Sequence, residues 1–193
     1  MDLVFAISTI SPQAAVNFAK IKEVIQDLID RYGVQRVYYS IILFGRDPSV
    51  RIRFTQQLSE ESLKNAVESL PRPSGGSSLQ AALEKAREVF DEGSRPDSKK
   101  VLVVILDQKS ESTTAGVKDA ASKLEDDGIM VIPVAFGSRA DTDEAEATTP
   151  NKANFVPIND TALPTECAEE ISQRITDSEY ENKLQTRMKI ATS

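Results

Sequence analysis

Residues 2–7 are apolar at nearly every position, the pattern of a strand buried on both faces. The period then changes. Ala14, Phe18, Ile21, Ile25, Leu28 and Tyr32 recur at steps of three and four, which predicts one inward face of a helix, with Lys20, Lys22, Glu23, Asp27 and Asp30 turned to water. Pro12 suits the first turn of that helix and Gly33 its end. Residues 37–44 read as a second strand. The Gly-Arg-Asp-Pro-Ser turn at 45–49 leads into 50–54, where apolar residues alternate with Arg51 and Arg53, as in the outer arm of a hairpin. A short helix from 59 to 70 is broken by Pro71-Arg72-Pro73. The Gly75-Gly76 turn then opens a helix with Leu79, Ala82, Leu83, Ala86, Val89 and Phe90 inward.

Residues 100–108 hold the most hydrophobic run of the chain, which ends at the carboxylate of Asp107 and marks the candidate central strand. A helix over 113–127 ends at Gly128. A second buried strand follows at 129–137, then the acidic segment 141–146 with one helical turn around 142–148, and a short strand at 155–158. From 161 to about 187 a terminal helix carries Leu163, Cys167, Ile171, Ile175 and Leu184 on its inward stripe. Strands alternating with helices predict an α/β fold: a doubly wound, mainly parallel six-stranded sheet with one antiparallel edge strand and helices on both faces. The length suits one domain over 1–193, with a core of about 2–176 and residues 177–193 as a helix end or tail. In such a sheet ligands gather at the carboxyl ends of the strands, which singles out the Ser/Thr-rich turn after residue 7.

Composition narrows the chemistry. The chain has 23 Lys and Arg against 30 Asp and Glu, a net charge of −7, which argues against nucleic acid or an anionic membrane surface as partner. No apolar run reaches the roughly 18 residues of a membrane span. With no histidine and Cys167 as the one cysteine, the sequence excludes Ser-His-Asp and Cys-His nucleophiles and cysteine zinc clusters. Gly75-Gly76 is not part of a phosphate-binding GxxxxGK[ST] or GxGxxG pattern. The expectation is a non-enzymatic protein. Asn159-Asp160-Thr161 is a glycosylation sequon if the chain is secreted. Met1 leading straight into a strand, and an end just past the last helix, suggest one module of a longer chain.

The order and spacing of DLVFAIS, FGRDPSVRIRF, GGSSLQAAL, KVLVVILD and GIMVIPVAFG resemble the von Willebrand factor type A domain over nearly the whole chain. The resemblance implies the doubly wound fold above and a module of extracellular adhesion or matrix proteins; some members are intracellular parts of protein complexes. Members with a metal-ion-dependent adhesion site hold a divalent cation with an Asp-x-Ser-x-Ser turn, a threonine in the glycine-rich turn and an aspartate ending the central strand. Hard cations of this kind need converging oxygen donors including a carboxylate. The resemblance places those positions at Ser8, Ile10, Pro12, Ser77 and Asp107. Asp107 matches, Ser77 offers a hydroxyl, and Ile10 and Pro12 offer no side-chain oxygen. Sliding the turn by one residue to use Ser11 breaks the register of the apolar strand. The expected cofactor is therefore none, with at most weak Mg or Ca binding at Ser8, Ser77 and Asp107.

Each residue also has a plainer reading. Asp107 can cap the loop that follows it by accepting backbone N–H groups, and Ser77 can cap the helix beginning there. Arg51 and Arg53 suit a charged edge strand that resists aggregation, or a docking patch. The segment 141–146 lacks EF-hand spacing and reads as a solvated loop, and Cys167 reads as a small buried hydrophobe. The expected function is a secreted, extracellular protein-interaction module with a degenerate cation site and a matrix or cell-surface protein as partner. The alternatives are a metal-dependent ligand-binding domain using Ser8, Ser77 and Asp107, and a cytoplasmic scaffold.

Overall fold

The computed structural model describes the backbone of residues 1–191 and the side chains of residues 1–177. Its strands are β1 (Asp2–Ser8), β2 (Tyr38–Phe44), β3 (Pro48–Ile52), β4 (Lys100–Leu106), β5 (Ile129–Phe136) and β6 (Val156–Ile158). Its helices are α1 (Ala14–Tyr32), α2 (Glu60–Glu68), α3 (Leu79–Gly93), α4 (Thr114–Asp126), α5 (Thr142–Glu146) and α6 (Pro164–Ala191). The strands form one sheet in the order β3-β2-β1-β4-β5-β6; β3 is antiparallel to β2 and every other pairing is parallel. The winding direction reverses at β1, whose neighbours are β2 and β4, so the crevice above β1 and β4 is the topological switch point.

Period-two alternation divides the apolar residues between two layers. Leu3, Phe5 and Ile7 of β1, with Val101, Val103 and Ile105 of β4, pack under α1, α2 and α6. Val4 and Ala6, with Leu102, Val104 and Leu106, pack under α3 and α4. Both central strands are thus buried on both sides, each large side chain contributing about 1.5–3 kcal/mol of burial. On the α1 layer Cys167 is 1% exposed, and burial pushes its thiol up to about 11, so it packs as a small hydrophobe.

The structure departs from the sequence expectation at three element boundaries. The hairpin's outer strand starts at Pro48, two residues early, and stops at Ile52. The Arg53 N–H donates to Gln56 Oε1 at 2.7 Å and opens a 3-10 turn that carries Phe54 into the core beside Phe90. Pro48 is tolerated because a strand edge needs no N–H there. Helix α6 begins at Pro164 rather than 161, with Leu163 N–H donating to Glu166 Oε2 at 2.9 Å, so Leu163 is 59% exposed rather than in the core. Pro12 is exposed ahead of α1, in a turn closed by Ala14 N–H on Ser11 O at 2.9 Å. Leu184 lies outside the described side chains.

At the amino end of the sheet, Asp2 is fully buried. It accepts from Arg95 N at 2.6 Å, Arg95 Nε at 2.8 Å and Ser98 Oγ at 2.5 Å, while the Arg95 guanidinium lies 4.0 Å from the Tyr38 ring centroid. The carboxylate ties the start of β1 to the loop between α3 and β4.

Candidate functional site at the carboxyl end of the sheet

The parallel register between β1 and β4 pairs Ser8 with Leu106, so Asp107 emerges beside the turn that leaves β1. Its carboxylate is occupied by that turn. Oδ1 accepts from Ile10 N at 2.8 Å and Ser11 N at 3.2 Å; Oδ2 accepts from Ser11 Oγ at 2.7 Å and Asn17 Nδ2 at 3.2 Å. Asp107 is 1% exposed. The capping reading holds in kind but not in place: the loop it caps belongs to β1 and α1, not to the segment that follows β4.

The remaining positions divide. Ser8 Oγ donates to Ser77 Oγ at 3.1 Å, and both residues are buried, so these two hydroxyls do converge above the sheet. Ser77 does not cap α3; Ser78 does, its Oγ accepting from Ala81 N at 3.3 Å, while the Ser77 carbonyl accepts from Glu111 N at 2.7 Å. Ile10 is half-buried and gives the site its backbone N–H only, and Pro12 points outward. Asn17 enters the site without having been anticipated, and Ser11, set aside as a cation ligand on strand register, enters it as a donor to Asp107. Asn17 had a legible signal, being a polar residue between Ala14, Phe18 and Ile21 on the buried stripe of α1. Ser11 was legible as a nearby hydroxyl, but its role as a donor to Asp107 follows from the turn's backbone path.

A second polar network braces the loop after β4. Buried Glu144 accepts from Ser110 N at 2.8 Å and Ser110 Oγ at 2.5 Å. Asp141 caps α5 through Glu144 N–H at 2.8 Å and pairs with Lys109 at 2.9 Å, whose hydrogen bond holds the Asp141 carboxyl below its ordinary value. The acidic segment 141–146 is therefore structural at Asp141 and Glu144 rather than a solvated loop throughout. Among the described residues no group of three or more His, Cys, Asp or Glu side chains is placed to hold a metal, and no helix is long and apolar enough to cross a membrane.

The family model of the von Willebrand factor type A domain matches residues 2–171. The chain belongs to that family. Two curated relatives are mouse collagen VI chains, the α6 chain at 23% identity over 160 residues and the α4 chain at 28% over 158, each alignment covering 80% of this chain. The chain spans about 7% of the length of those relatives. Among solved structures, proximal thread matrix protein 1 of the mussel byssus superposes with a TM-score of 0.77 at 18% identity, covering 90% of this chain and 46% of that one. A second structure of that protein, with a TM-score of 0.75, 20% identity and the same coverage of both chains, has a zinc-occupied metal-ion-dependent adhesion site.

Tested against the donors such a site requires, the present residues fit poorly. The positions at Ser8 and Ser77 supply two neutral hydroxyls, Ile10 and Pro12 supply none, and both oxygens of Asp107 already accept two hydrogen bonds each. A divalent cation would have to displace those donors and recruit most of its coordination from water.

Proposed function

We propose that this von Willebrand factor type A domain is a non-enzymatic protein-interaction module of an adhesion or matrix protein whose contacts need no resident metal. The observation that carries this reading is the Asp107 carboxylate, committed to four donors from the β1–α1 turn and α1. A cation ligand must keep a lone pair free towards the ion, and a carboxylate used as a loop cap does not. Titration of Mg or Mn into metal-stripped protein in a calorimeter should give no stoichiometric heat. A tight one-to-one signal abolished by Asp107→Ala would overturn the reading in favour of the metal-dependent alternative.

The proposed compartment is extracellular, with the domain as one module of a longer chain. Similarity to collagen VI chains supports it, and the sequon is accessible: Asn159 is exposed, and its Oδ1 accepts from Thr161 N at 2.9 Å. Mass measurement on protein from its native source should show a glycan at Asn159; an unmodified Asn159 would favour the intracellular scaffold.

A further inference from the structure

Of the ten arginines whose side chains are described, six have an acid beside them, and Arg36, Arg51, Arg72 and Arg139 make no ion pair among the described residues. Among the described residues Arg31, Arg46, Arg53, Arg87, Arg95 and Arg174 each lie within 4.0 Å of a carboxylate oxygen. Acids outnumber bases by seven, so an arginine without one is not short of candidates. Arg51 and Arg72 make no ion pair among the described residues, yet they line one cleft of about 390 Å³ between the β2–β3 hairpin and the segment linking α2 to α3. Arg46 stands at the same cleft, and its pairing with Glu111, 3.4 Å apart with both side chains more than half exposed, is loose enough to exchange. Ser49 and Ser74 add hydroxyls, and Asp47 is the one carboxylate in the lining.

The walls are held before anything binds. A Cβ on Gly45 would lie 2.5 Å from the Ser74 carbonyl oxygen, so the hairpin and the opposite segment touch at backbone distance. Ser78 N donates to Gly45 O at 2.9 Å across the same contact. Pro71 and Pro73 fix the backbone of the second wall, and Pro73 is buried. Two guanidinium forks on a rigid frame cost little ordering when they close on a ligand.

We infer that this cleft binds carboxylate side chains of an acidic peptide segment in a protein partner. Planar guanidinium groups pair with carboxylates through two parallel N–H···O bonds. The charge of −7 over the whole chain disfavours an extended polyanion, which would feel that field along its length, whereas a short acidic segment confined to the cleft meets the local positive charge. The cleft includes none of Ser8, Ser77 or Asp107, so this inference stands or falls apart from the metal-independent reading.

The test is fluorescence anisotropy with a labelled octapeptide alternating Glu and Gly. Binding should saturate and weaken with salt, and the Arg51→Glu/Arg72→Glu double variant should lose about tenfold or more in affinity. Arg51→Lys/Arg72→Lys, which keeps charge but not the fork, should lose about threefold. Arg139→Glu, an exposed position beyond β5, should change affinity less than about twofold. All three positions are exposed, and circular dichroism checks that each variant is folded. Absence of saturable binding, an equal loss in Arg139→Glu, or tighter binding of a sulfated oligosaccharide of matched charge would each overturn the inference.

Discussion

Asp107→Ala lowers the stability of the fold by about 2–4 kcal/mol in a urea titration, and by the same amount with Mg present or with a chelator. The carboxylate accepts from two backbone N–H groups, one hydroxyl and one amide, three of which come from residues that are themselves buried. Hydrogen bonds to a charged group contribute about 1.5–3 kcal/mol each, but water reaches the half-buried Ile10 N–H once the turn loosens, so the total falls well below their sum. Asp107→Asn should cost less, since one amide oxygen still serves the backbone donors while the new NH2 faces Asn17 Nδ2. A loss below about 0.5 kcal/mol, or one that appears only after chelation, would contradict the capping role.

Arg95→Ala is expected to destabilise the protein more than Asp2→Ala, by about 3–5 kcal/mol against about 2–3. The asymmetry follows from exposure: the Asp2 side chain is 0% accessible and the Arg95 side chain 35%. Removing Arg95 leaves a buried carboxylate with the Arg95-position backbone N–H and Ser98 Oγ as its remaining donors, and also strips the cation from the Tyr38 ring. Removing Asp2 frees a guanidinium that can turn to water and still donates to the Met1 and Arg36 carbonyls. Equilibrium unfolding of both variants measures the difference; equal losses would mean that the pair acts through packing rather than charge.

Most of the architecture was legible because its physical causes are local. The apolar runs of β1 and β4 could only be doubly covered strands, and the three-and-four spacing of α1 and α3 could only be helix faces. Where boundaries moved, a specific competitor won. Gln56 claimed the Arg53 N–H and turned Phe54 out of β3, and Pro164 set the start of α6 so that Leu163 fell outside its stripe. At the candidate site the identities at positions 10 and 12 could be read as lacking side-chain oxygens. The partners of Asp107 could not, since they lie 90 or more residues earlier in the chain. The same holds for Glu144, which on its own reads as one acid in a run of acids and in the structure is the buried acceptor of Ser110.

The sequence by itself determined the layer architecture, the strand that ends in Asp107, and which positions of the β1 turn have oxygen to offer, because hydrophobic period and side-chain chemistry belong to residues one at a time. Only the tertiary structure decided what Asp107 holds, that Ser78 rather than Ser77 caps α3, and that Arg51 and Arg72 share one cleft. Hydrogen-bond partners and the neutralisation of charge are properties of pairs, and the parallel crossovers that bring those pairs together join segments far apart along the chain.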